Sequence, residues 1–273
     1  MEAQLTDPGN DARFQEHIGY RRLASGPNRL PNGSLSSVID VDQLGMPDVG
    51  NPEFAGKEIV LSDAPSARAE ANAHATRSLQ RLCGNATSIV PGVRRARSYT
   101  AGTWLREVLR VDSDAGPVSF AGGDLRVVSH SWIVVDGGPL QAIRRTDAMI
   151  DRDDVLQVYA AANALDSFPV MANCYNAVVV GRVVDASSVG PTRLDTPGRC
   201  KPDILAPLHS TSQATPCVAS AVVLLAESAI LQSKPNGVKC HQEHPADRRA
   251  ETSHERGVED QPRLASGCRF RRH

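Results

Sequence analysis

At 273 residues, 41% hydrophobic and 22% charged, the chain is long enough for one main domain that removes roughly three quarters of its unfolded surface from water. Lys plus Arg at 30 against Asp plus Glu at 31 leave a formal charge of −1, which singles out no polyanionic partner, and aromatic residues at 4% argue against a stacking platform for nucleic acid. No run reaches the roughly 18 uninterrupted apolar residues that a membrane span requires, so no span is expected.

In chain order, residues 1–32 are polar and broken by Pro8, Gly26, Pro27 and Pro31, with no sustained period; they read as a flexible extension. SVIDV (37–41) is a short run rich in β-branched residues and predicts a strand, and AHATRSLQRLCG (73–84) and TAGTWLREVL (100–109) predict helices. RVVSHSWIVV (126–135) predicts a second strand, PLQAIRRTDAMIDR (139–152) a helix, and VLQVYAAA (155–162) and NAVVVGRVV (176–184) two more strands. VASAVVLLAESAI (218–230) closes the series as an apolar helix. Alternation of this kind predicts a mostly parallel sheet with helices on both faces, an α/β fold of three layers. After about residue 232 the chain turns rich in Arg, His, Glu and Pro without an amphipathic period, and reads as a charged, disordered tail. The domains expected are therefore an extension (1–32), a catalytic-size domain (33–232) and a tail (233–273).

The six cysteines (83, 174, 200, 217, 240 and 268) contain no CxxC pair, which disfavours a zinc module in the core; Cys174 and Cys200 are a conceivable pair in an oxidising compartment. In the tail, Cys240, His244, His254 and Cys268 match no common finger spacing. The start, MEAQLTDPGNDARFQEH, lacks the basic and apolar regions of a secretory signal: either the protein stays inside the cell or the chain begins after or without its leader.

The most specific stretch is HSTSQATPCVASAVVLL (209–225), which sets Ser210, Thr211 and Ser212 at the mouth of an apolar helix with Pro216 in or near its first turn. A serine there is either an ordinary helix cap or a nucleophile held where unpaired N–H groups and the positive end of the dipole favour a developing oxyanion. KPDILAP (201–207) followed by STSQATPCVASAVVLL (210–225) resembles, in tandem, the nucleophile block of the subtilisin-like serine proteases, the subtilases or peptidase S8 family, in a divergent bacterial form. GRCKPDI (198–204) fits the same subgroup. The resemblance runs from about Gly33 to Ala229.

That resemblance implies a subtilisin-like fold and a serine endopeptidase working on protein or peptide substrates as a monomer. It makes Ser212 the nucleophile and His74, at the start of a predicted helix, the general base, with TSIVPGV (87–93) as the strand that follows. The triad acid falls in NGSLSSVIDVDQ (32–43): reading V-I-D literally favours Asp40, whereas counting from Gly33 favours Asp42, 32 residues before His74; Asp42 is preferred and Asp40 stays open. VLQVYAAANALDS (155–167) resembles the strand that ends in the oxyanion asparagine, here Asn163. SHSWI (129–133) lies where the family binds the substrate backbone, which makes Ser131 and Trp132 substrate-binding candidates; His130 is a rival base. No organic cofactor is implied, and calcium, which often stabilises the family, has no assignable cluster. The family suggests secretion, which residues 1–17 do not display.

Several small residues depart from the pattern: Ala75 follows the histidine, Ser210 precedes Thr211, Ala162 precedes Asn163, and Cys217 follows Pro216. Glycines in such places often serve a positive φ or close backbone approach. The competing reading is therefore a catalytically inactive domain that binds extended peptides or protein partners along the same strands, and a third is a metal-binding regulator acting through the Cys/His tail. The pattern-free tail also fits an out-of-frame ending.

Overall fold

The computed structural model describes residues 11–27, 30–43, 45–62, 71–134, 140–192 and 199–232. Seven strands form one parallel sheet: β1 (Ser37–Asp42), β2 (Glu58–Leu61), β3 (Arg95–Thr100), β4 (Leu125–Ser131), β5 (Leu156–Ala160), β6 (Val178–Arg182) and β9 (Ile204–Ala206), in the order β2-β3-β1-β4-β5-β6-β9. Two-residue strands β7 (Gly190–Pro191) and β8 (Cys200–Lys201) make a separate antiparallel pair. The helices are α1 (Asp11–His17), α2 (Tyr20–Ala24), α3 (Ala73–Cys83), α4 (Ala101–Thr103), α5 (Leu140–Asp153) and α6 (Thr211–Leu231).

Side chains alternate along a strand, so each strand feeds both layers. Val38 of β1, Val127 of β4, Val158 of β5 and Val180 of β6 face α3 and α6 and pack with Leu79, Leu82, Ala219 and Val223. Ile39, Val41 and Val128 face the other way, toward Trp104, Ile143 and Met149. The expected three-layer α/β architecture is the one observed.

Several local readings change. β2 and β3 carry charged residues on one face: Arg95 and Arg97 alternate with buried Ala96 and Ser98, so these strands lack the continuous apolar signature of the central ones. TSIVPGV is not a strand; Pro91 and Gly92 turn the chain, and the strand begins at Arg95. The helix expected over 100–109 divides into α4 and a wider turn, Trp104–Val108, in which the Leu109 N–H reaches back five residues to the Trp104 carbonyl at 2.9 Å. Within the segment expected as an extension, α1 and α2 form, and Phe14 is 4% exposed within the α3 and α6 layer. The expected tail, with its Cys/His set, lies outside the described residues.

One turn and one side-chain network position strands of the sheet. Gly33 has φ +91°, and a Cβ there would meet the Val93 side chain at 2.6 Å, so only glycine fits the turn into β1. That turn is held from across the domain: Glu227 of α6, 1% exposed, accepts from the N–H groups of Gly33 (2.9 Å) and Leu35 (2.8 Å) and from Ser36 Oγ (2.8 Å). The KPD phrase has a structural job. Lys201 Nζ donates to the Ala177 carbonyl at 3.2 Å and to Asp203 Oδ2 at 2.6 Å, and Asp203 accepts from the Val179 N–H at 2.8 Å, fixing β9 beside β6.

Candidate active site

In open parallel sheets, ligands bind outside the carboxyl ends of the strands where the strand order reverses. β1 is that point here, flanked by β3 on one side and β4 on the other. At its end Asp42 shares a rung with Thr100 and Ser131. The N-termini of α3 and α6 converge on the same end, and a cleft of about 290 Å³ between them is lined by Asp42, Asn72, His74, Ser131, Asn163 and Ser212, among others.

His74 sits on the first turn of α3. Asn72 caps that helix, its side-chain oxygen accepting from the N–H groups of His74 at 2.8 Å and Ala75 at 3.1 Å. His74 Nδ1 faces Asp42, at 2.7 Å from Oδ2 and 3.0 Å from Oδ1. Asp42 is 1% exposed and also accepts from the Gln43 N–H at 2.8 Å. A carboxylate accepts only, so Nδ1 carries the proton and Nε2 keeps its lone pair. The hydrogen bond to Asp42 raises the imidazole pKa above its usual value, with burial and Arg77 pulling the other way and the charge of Asp42 adding to the rise.

Asp40, two residues back on the same face, meets no such partner. It is fully buried, and both its oxygens are without a hydrogen-bond partner, as are Ser98 Oγ and Ser129 Oγ, its neighbours on the flanking strands. Burial, and after it the charge of Asp42, raises its carboxyl well above the ordinary range.

α6 begins at Thr211, with Ser210 as its cap: Ser210 Oγ accepts from the Gln213 N–H at 3.3 Å. Ser212 is thus the second residue of the helix and half-buried at the cleft. Pro216 falls in the second turn rather than the first. It has no N–H to give the Ser212 carbonyl four residues earlier, and Ser131 Oγ donates to that carbonyl instead, at 2.9 Å. Ser131, read as a substrate-side residue, is 2% exposed and spends its hydroxyl on the helix start. Trp132, a residue of the cleft lining, is also 2% exposed, and its indole N–H donates to His130 Nδ1 at 3.0 Å.

His130 is a structural group. It is fully buried, stacks on Tyr159 at 3.9 Å between ring centroids and donates from Nε2 to Gln157 Oε1 at 3.0 Å. Burial lowers its pKa to about 3, so it stays neutral.

Asn163 lies just past β5, exposed at the rim of the cleft. Its side-chain oxygen accepts from the Thr211 N–H at 2.9 Å, which ties the asparagine to the start of α6 and turns its NH₂ group away from that N–H. The substituted small residues fit without strain. Ser210 has φ −137°, and the non-glycine residues with positive φ among those described are Arg110, Asp154 and Asp185, so Ala75, Ala162 and Ser210 occupy backbone that any residue adopts. Cys83, Cys174 and Cys200 are free thiols, so the conceivable Cys174–Cys200 pair is not formed, and no group of three metal-ligating side chains occurs among the described residues.

Sequence reasoning missed Asn72 and Arg182. Asn72 carried a local signal, a capping residue two positions before the histidine. Arg182 carried none, because its partners lie 19 and 27 residues away in the sequence.

The fold is that of the subtilisin-like proteases, in a divergent form. Similar solved structures are the prenylagaramide maturation protease PagA (19% identity, 74% of this chain and 79% of that one, TM-score 0.56), a cold-adapted subtilisin-like serine proteinase (16%, 78% and 81%, 0.53) and the PatG macrocyclase in complex with peptide (15%, 75% and 81%, 0.51). No protein-family model and no curated protein matches the sequence. One described helix, α6, is long and apolar enough by length and composition to cross a membrane; it packs on β4, β5, β6 and α3 beneath the cleft.

Proposed function

We propose that this chain is a serine endopeptidase that hydrolyses peptide bonds through Ser212, His74 and Asp42. The observation that carries the reading is the 2.7 Å bond from His74 Nδ1 to a buried carboxylate, in the same cleft as a serine on the first turn of an apolar helix. In this mechanism Nε2 of His74 takes the Ser212 hydroxyl proton as Oγ attacks the scissile carbonyl carbon. The carbonyl electrons move to oxygen, and that oxyanion is met by the Asn163 NH₂ and the Ser212 N–H at the positive end of α6. Asp42 holds the ring in its tautomer and stabilises the imidazolium. His74 then protonates the leaving amine, and water, deprotonated by the same ring, releases the acyl group from Ser212.

Two of the three similar structures are a maturation protease and a subtilisin-like proteinase by description, which supports a hydrolase reading over a peptide-binding domain without chemistry. Incubation with a peptide library, read by mass spectrometry, tests it. New termini should appear with the wild type, vanish with Ser212→Ala, and form about 100- to 1,000-fold more slowly with Asn163→Ala. A folded wild type that retains peptides on the resin but cuts none would replace this reading with the binding one.

A further inference from the structure

A single side chain ties the oxyanion loop to the nucleophile helix. Arg182 ends β6 on the face that carries α6, and its guanidinium is 11% exposed. Nη2 donates to the Asn163 carbonyl at 2.9 Å and to Asp185 Oδ2 at 3.1 Å, Nε donates to the Ala186 carbonyl at 2.9 Å, and Nη1 donates to the His209 carbonyl. His209 immediately precedes the cap of α6, and Asn163 is bound at its other end by the Thr211 N–H. The 185–188 loop closes the same circuit: the Ser188 N–H donates to the Ala162 carbonyl at 2.9 Å, and Ser188 Oγ accepts from the Ala162 N–H at 3.0 Å.

We propose that Arg182 is a positioning residue for catalysis, which sets the distance between the Asn163 NH₂ and the Ser212 N–H by gripping the carbonyls of Asn163 and His209 on one rigid fork. The inference rests on the serine-protease reading of the cleft. A guanidinium is planar, with five N–H groups at fixed angles, so two carbonyls bound to it cannot drift apart independently. A lysine brings the charge but not the fork. The charge itself matters less: the carboxylate partner, Asp185, is 73% exposed, where an ion pair contributes little. What Arg182 supplies is geometry at the two donors that must meet one oxyanion, where small misplacement is costly.

The test is the rate of phosphonylation of Ser212 by a fluorophosphonate probe, with the maximal rate and the half-saturating probe concentration measured separately. Arg182→Ala and Arg182→Lys should each slow the maximal rate about 10- to 100-fold with half-saturation within about 3-fold of wild type, and Asp185→Asn should stay within about 3-fold on both. Millimolar free guanidinium should restore part of the Arg182→Ala rate without altering the wild type. In an Asn163→Ala background, Arg182→Ala should cost little further, because both changes disable one donor pair. Singles that multiply instead of overlapping, or Arg182 variants that react like wild type, would overturn the proposal. If Arg182→Ala fails to fold, Arg182→Lys and its cycle with Asn163→Ala decide alone. A wild type that never labels defeats the protease reading itself, and the inference falls with it.

Discussion

Asp40 and Asp42 are the same residue type on the same strand and the same face of the sheet, two residues apart, yet they occupy opposite chemical settings. Asp42 ends β1 at the cleft and accepts from His74 and the Gln43 N–H. Asp40 is enclosed between Ser98 and Ser129 with no hydrogen-bond partner for either oxygen, and the nearby Cys83 thiol, pushed by burial up to about 12, stays neutral beside it. In the proposed mechanism, the difference teaches that reactivity in this sheet belongs to the last rung. Only there do the helix N-termini bring an imidazole and backbone donors to a side chain; two residues deeper the same carboxyl is merely costly to bury.

The comparison breaks most visibly through its hydrogen-bonded member. Asp42→Asn should slow phosphonylation of Ser212 by about 10,000-fold, the magnitude known for loss of a triad carboxylate, whereas Asp40→Asn should leave it within a few-fold. The pH profile carries the sign. His74 must be neutral to accept a proton, and Asp42 raises its pKa, so the wild-type rate should rise with pH through a midpoint above that of an ordinary imidazole. Asp42→Asn should move that midpoint to lower pH, and Asp40→Asn should leave it in place.

The two histidines sharpen the same contrast. His130→Ala opens a cavity beneath Tyr159 and strands the Trp132 N–H, so it should lower stability by about 3 kcal/mol in a denaturant titration while probe labelling of the folded fraction persists. A collapse of labelling at unchanged stability would make His130 a reacting group after all.

The smallest effect concerns Asp40 itself. Asp40→Val removes two buried unpartnered oxygens and should stabilise the domain by about 1–3 kcal/mol at pH 8. The folded-state pKa of Asp40 is raised, so its contribution is most favourable below the unfolded carboxyl pKa and is lost as pH climbs toward the folded value. The advantage of the valine variant in thermal melts should therefore grow from pH 4 to pH 8. An advantage that shrinks over that range would mean Asp40 is ionised and partnered in the folded protein.

Much of the cleft was legible in the sequence because its parts sit in locally patterned segments. The tandem of KPDILAP and STSQATPCV marked Ser212, the predicted helix start in AHATRSL marked His74, and the strand into AAANA marked Asn163. The choice between Asp40 and Asp42 was not settled by pattern, since both lie on one face, and the rung that meets His74 depends on where α3 crosses the sheet. Ser131 and Trp132 were placed beside the cleft but not given their partners: the Ser131 hydroxyl answers a carbonyl that Pro216 leaves open, 81 residues later. β2 and β3 escaped because Glu58, Arg95 and Arg97 put charge on their outward positions, and a period of two in so short a run is easily lost. Arg182 escaped because its fork joins loops that only the fold brings together.

The most direct test of the central claim is to locate the fluorophosphonate adduct by peptide mass spectrometry in the wild type and in His74→Ala. The account predicts an adduct on Ser212 in the wild type and almost none in His74→Ala. A folded wild type without adduct, or an adduct on another hydroxyl that forms equally well without His74, would contradict it.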